Sequence, residues 1–480
     1  MKNKNYNISK DILLFFIEWV FWFVLTLFFT GRRDFLTTSQ EESYIYVLSV
    51  IGVLQFVHII YSAKSVQGSI FTPYALFIAF MFVFNYGQFA LWAFGIHSNL
   101  EITKSSFIRY IDNYTAIKME VISLQFMCIF HLCALIGYLK KPVKKINYSL
   151  NISLKRLALP ILIISGTINI LFTFFVFGQA RTVGYAALFE NALPPVLKYL
   201  SYMFVPSLCL TLVAYKFSKK AFKYLTILFA VYAVPLLITG DRGSWIYFIG
   251  PWAWCYLKYV RDNSKPIKKS QIVLLIVGFG LILIAASAFK SVRDVGLNAL
   301  AFSDLVLNDM YEAFIHPFFE MGQSAILLGV VEQDHLYETW AFGNTYISAI
   351  LGMILPRISV LFGYPDMYIE NWMTDYLDMG DYGVGFSSFA EAYLNGGPLF
   401  GWFYMAITGF FIGYTVMCKN EDKINTHRLF LILATAIVLG PSIRASLNLF
   451  ARMYFWGVLL VIILALVLSS SKKGRTEVGV

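Results

Sequence analysis

The chain is 480 residues long, 58% hydrophobic and only 14% charged. Soluble globular domains carry roughly a quarter charged residues, so that class is excluded and a membrane protein is left. The net charge of +10 does not call for nucleic acid, because the density of basic residues alternates from loop to loop as membrane topology requires.

Runs of about 20 apolar residues, enough to cross a hydrocarbon core, predict about twelve transmembrane helices. They are centred in 11–29, 44–62, 73–95, 119–139, 158–178, 196–216, 224–240, 244–260, 271–289, 396–417, 428–441 and 453–470. The expected fold is an all-α polytopic membrane protein. The first run follows the basic stretch Lys2 to Lys10 and leads into Thr30-Gly31-Arg32-Arg33 without a small-residue cleavage site. It reads as a retained helix and not as a signal peptide. The run at 428–441 is short, and 224–240 is divided from 244–260 only by the Gly240–Gly243 corner.

With the N-terminus inside, the inner loops hold 25 of the 38 Lys and Arg, and the outer loops 13. This bias puts both termini in the cytoplasm. The inner set is 21 Lys and 4 Arg, the outer set 9 Arg and 4 Lys. Orientation needs only charge, whereas the planar Arg fork also matches phosphate and carboxylate. An Arg-rich outer face fits a diphosphate site or simple headgroup contacts. The five cysteines (Cys128, Cys133, Cys209, Cys255, Cys418) lie in or at the ends of spans. No external disulfide framework is expected, and no CxxC or Cys/His spacing points to zinc.

Residues 1–289 thus hold spans one to nine, 290–395 form one large extracytoplasmic loop, and 396–480 hold spans ten to twelve and a cytoplasmic tail. The loop contains fourteen Asp or Glu against three Lys or Arg. A loop of this size usually carries function. Two stretches in it are apolar, 324–331 and 345–362. The second reads as a re-entrant or interfacial helix broken at Pro356. If both enter the membrane as a hairpin, the span count becomes fourteen.

Several residues could carry chemistry. The corner TGDRGSW (Thr239 to Trp245) sets Asp241 and Arg242 between glycines. That is either an ion pair closing a tight turn or an Arg aimed at a phosphate. Arg293 opens the loop, Arg357 sits beside Pro356, Arg181 follows span five, and Arg444 and Arg452 flank the last outer turn. Each is an interfacial anchor or part of an anion site. Glu391 lies in FAEAYLNGG with Tyr393 and Asn395. It either faces water on an amphipathic helix or accepts a hydrogen bond or proton from a sugar hydroxyl. His316 and His335 lack metal-ligand spacing. The loop's aromatics, among them Tyr337, Trp340, Trp372 and Tyr376, suit either sugar stacking or the loop's own core. GFFIG (Gly409 to Gly413) fits close helix packing.

The span layout, the late outer loop, the TGDRGS corner and the segment GFSSFAEAYLNGG resemble the Wzy-type O-antigen or oligosaccharide repeat-unit polymerases. One family pattern, an Arg followed ten residues later by Gly in two outer loops, is absent. The resemblance implies an inverting, metal-independent glycosyltransferase of the GT-C-like membrane class, with no cofactor. It implies an undecaprenyl-diphosphate-linked glycan as donor and a lipid-linked repeat unit as acceptor, in a bacterial inner membrane. A flippase and a chain-length regulator are candidate partners. Read from the residues themselves, the catalytic candidates are Glu391 and Arg242, and the substrate-binding candidates are Asp241, Arg181, Arg293, Arg357, Arg444, Arg452, Tyr393 and Asn395. Two alternatives stay open: a lipid-linked oligosaccharide flippase or transporter, and an O-antigen ligase.

Overall fold

The computed structural model describes residues 8–31, 36–98, 101–104, 108–140, 148–183, 193–239, 243–261, 315, 318–364, 369–379, 384–418 and 426–477. Among these residues there is no strand. The helices are α1 (Ile8–Thr30), α2 (Thr38–Gln67), α3 (Pro73–Trp92), α4 (Asn113–Leu139), α5 (Tyr148–Val183), α6 (Pro195–Ser201), α7 (Phe204–Ala214), α8 (Lys219–Ile238) and α9 (Gly243–Cys255). They continue with α10 (Ile326–Gln333), α11 (Leu336–Thr339), α12 (Asn344–Gly352), α13 (Pro356–Leu361), α14 (Ile369–Tyr376), α15 (Ser388–Thr415), α16 (Thr426–Leu439), α17 (Leu447–Tyr454) and α18 (Leu460–Glu477).

Nine helical segments among the described residues are long and apolar enough to cross a membrane. Of the twelve expected runs, 271–289 lies outside the described residues. The run at 244–260 forms α9 and a following turn of π-helix, Tyr256–Val260. The run at 396–417 belongs to α15, which is broken near its start. Gly397 has φ 56° and ψ −160° there, and Pro398 follows. Proline cannot donate to the preceding turn, and glycine alone adopts such a backbone without strain.

The described chain forms two units. The first comprises residues 1–144, 318–423 and 439–452. Its centre is α4, which buries 89% of its most apolar stretch. A membrane helix enclosed on all sides need not be apolar on all sides, and α4 buries Lys118, Glu120, Gln125 and His131. Each bonds to a neighbouring side chain, although Glu120 Oε2 and Gln125 Nε2 have no partner among the described residues. Ser49 donates to Glu120 at 2.6 Å, Thr26 donates to Gln125 at 3.0 Å, and His131 lies 2.7 Å from the Tyr74 hydroxyl.

Helix α15 packs on α4 in parallel, with Gly409 over Phe130 and Gly413 over Ala134. A Cβ on Gly413 would collide with the Ala134 carbonyl oxygen. The GFFIG segment is therefore a backbone-to-backbone contact, as small residues allow.

The second unit comprises residues 145–317, 424–438 and 453–480. In it Asn169 on α5 donates to the Ser201 carbonyl at 3.0 Å, and Thr211 on α7 to the Ala158 carbonyl at 3.3 Å. Phe229 of α8 stacks on Phe248 of α9 at 3.6 Å. Gly457 packs against Tyr202 and Pro206.

Candidate functional site

The site is built where α4 and α15 begin, within the first unit. Helix α10 wedges between them with Ile326, Leu327, Leu328, Val330 and Val331 buried. At eight residues it extends about 12 Å, too short to span a membrane. The apolar stretch 324–331 is therefore protein core. Its last turn carries Glu332, which accepts from Lys118 Nζ at 2.7 Å and from the Tyr393 hydroxyl at 2.5 Å. All three side chains are buried. A buried carboxylate is tolerable only with such partners.

Glu391 begins α15, where the Ser387 side chain caps the helix by accepting from Ala390 N–H at 3.0 Å. Its side chain is buried, so it does not face water. Oε1 accepts from the Thr345 hydroxyl at 2.8 Å, and Oε2 from the Leu447 N–H at 2.8 Å. Leu447 is the first residue of α17, so the carboxylate meets the positive end of that helix. Asn395 lies one turn along α15. Its amide donates to Thr345 Oγ1 at 2.8 Å, and its Oδ1 accepts from Thr345 N–H at 3.1 Å. The break at Gly397 frees the Asn395 carbonyl, which accepts from Gly343 N–H at 3.2 Å.

Arg452, in the last turn of α17, is buried, and its Nε donates to the Gly352 carbonyl at 3.2 Å. Thus α12 is bonded at both ends, through Thr345 to Glu391 and Asn395 and through Gly352 to Arg452. Arg444 is exposed, with its guanidinium 5.9 Å from the Phe84 ring centroid; its carbonyl accepts from Phe386 N–H just before α15. Arg357 is exposed on α13. Asp241, Arg242, Arg293, His316 and the Arg181 side chain lie outside the described residues.

A cleft opens beside Glu391, lined also by Phe77, Tyr346, Ser388, Met405 and Ser442. Its free volume of about 20 Å³ holds about one water molecule and no sugar ring. A glycan must therefore lie mainly outside it.

Aromatics gather at a second place, within residues 340–376. Trp340 and Trp372 approach to 4.8 Å, and Trp372 stacks on Tyr376 at 5.4 Å. Beside them Asp334 pairs with Arg109 and accepts from the Tyr376 hydroxyl at 2.8 Å. Burial and then Asp334 hold that phenol above its usual range, against the opposing Arg109. The Trp340 indole N–H is buried with no hydrogen-bond partner among the described residues. His335 serves the turn before α11, with a left-handed backbone and its ring 3.1 Å from the Tyr337 hydroxyl.

Sequence reasoning picked out Glu391, Asn395, Tyr393 and Arg452 but not Lys118, Glu332 or Thr345 as their partners. Lys118 had a usable signal, a charge at the edge of an apolar run. Thr345 had none. Among the described residues, no group of three or more His, Cys, Asp or Glu is placed to hold a metal ion.

A family model for O-antigen polysaccharide polymerase Wzy matches residues 13–473. No curated protein and no solved structure matches the chain.

Proposed function

Because the chain belongs to the O-antigen polysaccharide polymerase Wzy family, we propose that it joins undecaprenyl-diphosphate-linked repeat units into a surface polysaccharide on the outer face of the bacterial inner membrane. The growing chain is the donor and a single lipid-linked unit the acceptor. The bond from the donor's anomeric carbon to diphosphate breaks, and a bond from the acceptor hydroxyl oxygen to that carbon forms with inversion. The hydroxyl proton leaves to a base, and undecaprenyl diphosphate departs.

The observation that carries this reading is the buried Glu391 carboxylate on a cleft, with Arg452 bonded to the same short helix, α12. A carboxylate there would orient or deprotonate the acceptor hydroxyl. Fixed cations would stabilise the departing diphosphate without a metal. Arg452 and Arg444 are described candidates; Arg242, Arg181, Arg293 and Arg357 complete the set read from sequence. The Trp340–Trp372–Tyr376 cluster, edged by Asp334 and Arg109, suits the glycan through apolar ring faces and polar rims.

The topology follows the same logic. Parallel packing of α4 and α15 requires an odd number of crossings between them. Three come from α5, α6 with α7, and α8; α9 and the apolar run at 271–289, read from sequence as spans, would be the fourth and fifth. With the N-terminus in the cytoplasm, as read from the Lys/Arg bias, α4 would start on the outer side and the site would lie at the outer ends of both helices.

The test is purified protein in liposomes with a synthetic lipid-linked repeat unit and excess chelator. A ladder of products is expected. Strict dependence on Mg²⁺ or Mn²⁺ would overturn the metal-independent step. Transfer only when a lipid A-core acceptor is added would mark a ligase.

A further inference from the structure

Helices α12 and α13 form a hairpin with two unlike faces. The inner face is polar and bolted down, with Thr345, Ser348, Gly352 and Ser359 buried. The outer face carries Ile350, Val360, Leu361 and Phe362, which are 58%, 56%, 82% and 67% exposed. Four large apolar side chains exposed on one short hairpin are not what a solvated loop presents.

The hairpin's backbone suits a dry environment. Ile358 N–H bonds to the Leu355 carbonyl, Phe362 N–H to Ile358 and Ser359, Gly363 N–H to Val360, and Tyr364 N–H to Ser359. The Ser359 hydroxyl bonds to the Pro356 carbonyl. After α13 the chain turns through Gly363, at φ +81°, and the N–H groups of Phe362, Gly363 and Tyr364 are satisfied internally, as a lipid-facing segment demands. Between Glu338 and Asp366 the sole charged residue is Arg357.

The apolar face is also continuous with an exposed apolar stretch of α15. Phe342, just before α12, packs on Phe400 at 5.8 Å, and Tyr346 stacks on Tyr404 at 4.4 Å. Leu399, Phe400 and Phe403 on that stretch of α15 are exposed, and residues 396–417 read from sequence as a membrane span.

We propose that the α12–α13 hairpin is sunk into one leaflet of the membrane, with lipid acyl chains covering Ile350, Val360, Leu361 and Phe362 and with Arg357 held at headgroup depth. The leaflet is the outer one if the sidedness proposed above holds; the depth itself does not depend on it. The hairpin is then a wall with lipid on one side and the Glu391 cleft on the other. A lipid-linked diphosphate at headgroup depth would meet Arg357 on its way in.

The experiment measures depth without turnover, so it stands or fails separately from the polymerase assay. Nitroxide is attached at Leu361→Cys, at Phe362→Cys and at the exposed control Glu338→Cys, in protein reconstituted in phosphatidylcholine–phosphatidylglycerol vesicles. Wild-type protein is labelled in parallel to subtract its own five cysteines. Collisions with oxygen should exceed those with a water-soluble nickel chelate several-fold at both hairpin sites, with the reverse at 338. Hairpin sites as open to nickel as 338 would overturn the proposal. So would sites shielded from both reagents with dipolar broadening, which would mean a second copy covers the face. The two hairpin sites check one another should one variant fail to reconstitute.

Discussion

Helices α4 and α15 run in parallel, yet the two ends of their contact follow opposite rules. Toward their C-terminal ends the backbones touch through Gly137, Gly409 and Gly413, and nothing but glycine fits. Toward their N-terminal ends α10 enters between them with Glu332, and Thr345 of α12 bonds to Glu391 of α15. The first end derives its stability from dispersion and close approach; the second is held by charges and hydrogen bonds, each of which must be satisfied. A membrane helix pair can thus be a clamp at one end and a site at the other. The break at Gly397–Pro398 in α15 sits between the two regimes.

Breaking the clamp should have the largest effect. Gly413→Val forces side-chain atoms into the Ala134 backbone, and overpacking of this kind costs about 1–3 kcal/mol or more. Little monodisperse protein should survive size-exclusion chromatography. Gly178→Val, at a glycine with nothing within 4 Å of its Cβ position, should behave like wild type. Equal loss from both would deny the clamp its special standing.

At the other end, Lys118→Met leaves Glu332 buried without its cation. Removing one partner of a buried pair costs about 3–5 kcal/mol, so the thermal unfolding temperature should fall steeply. The double variant Lys118→Met/Glu332→Gln should regain most of it, because a neutral amide still accepts from Tyr393. Failure to recover would mean that Lys118 has a role beyond balancing Glu332.

Glu391→Gln sharpens the distinction between fastening and chemistry. As a base it should be worth ~10²–10⁴-fold, so lipid-linked single units should accumulate with no ladder while the protein stays in the membrane. Thr345→Val removes one bond to the same carboxylate at a cost of about 1–3 kcal/mol but leaves the charge. It should lower stability yet keep a ladder. If both variants lose the ladder alike, Glu391 is a fastener and the Arg set becomes the main candidate for the chemistry.

The smallest effect is expected at the aromatic cluster. Trp372→Ala removes stacking worth about 0.5–1.5 kcal/mol and should shorten the polymer's modal length on a gel without changing protein amount. An unchanged length distribution would return these rings to the loop's own packing.

The sequence by itself determined that this is an all-helical membrane protein, because apolar runs of spanning length and a lopsided Lys/Arg distribution are properties of composition along the chain. It also marked Glu391, Asn395 and the arginines, since polar residues stand out against apolar runs. It did not determine which of them meet. Thr345 and Glu391 are 46 residues apart, and Lys118 and Glu332 are 214 apart; no local period links such positions. Nor could hydropathy tell the two apolar stretches of the loop apart. Residues 324–331 and 345–362 read alike, but the first is enclosed by α4 and α15 and the second exposes its apolar face. Only tertiary packing decides whether an apolar side chain is covered by protein or left for something else to cover.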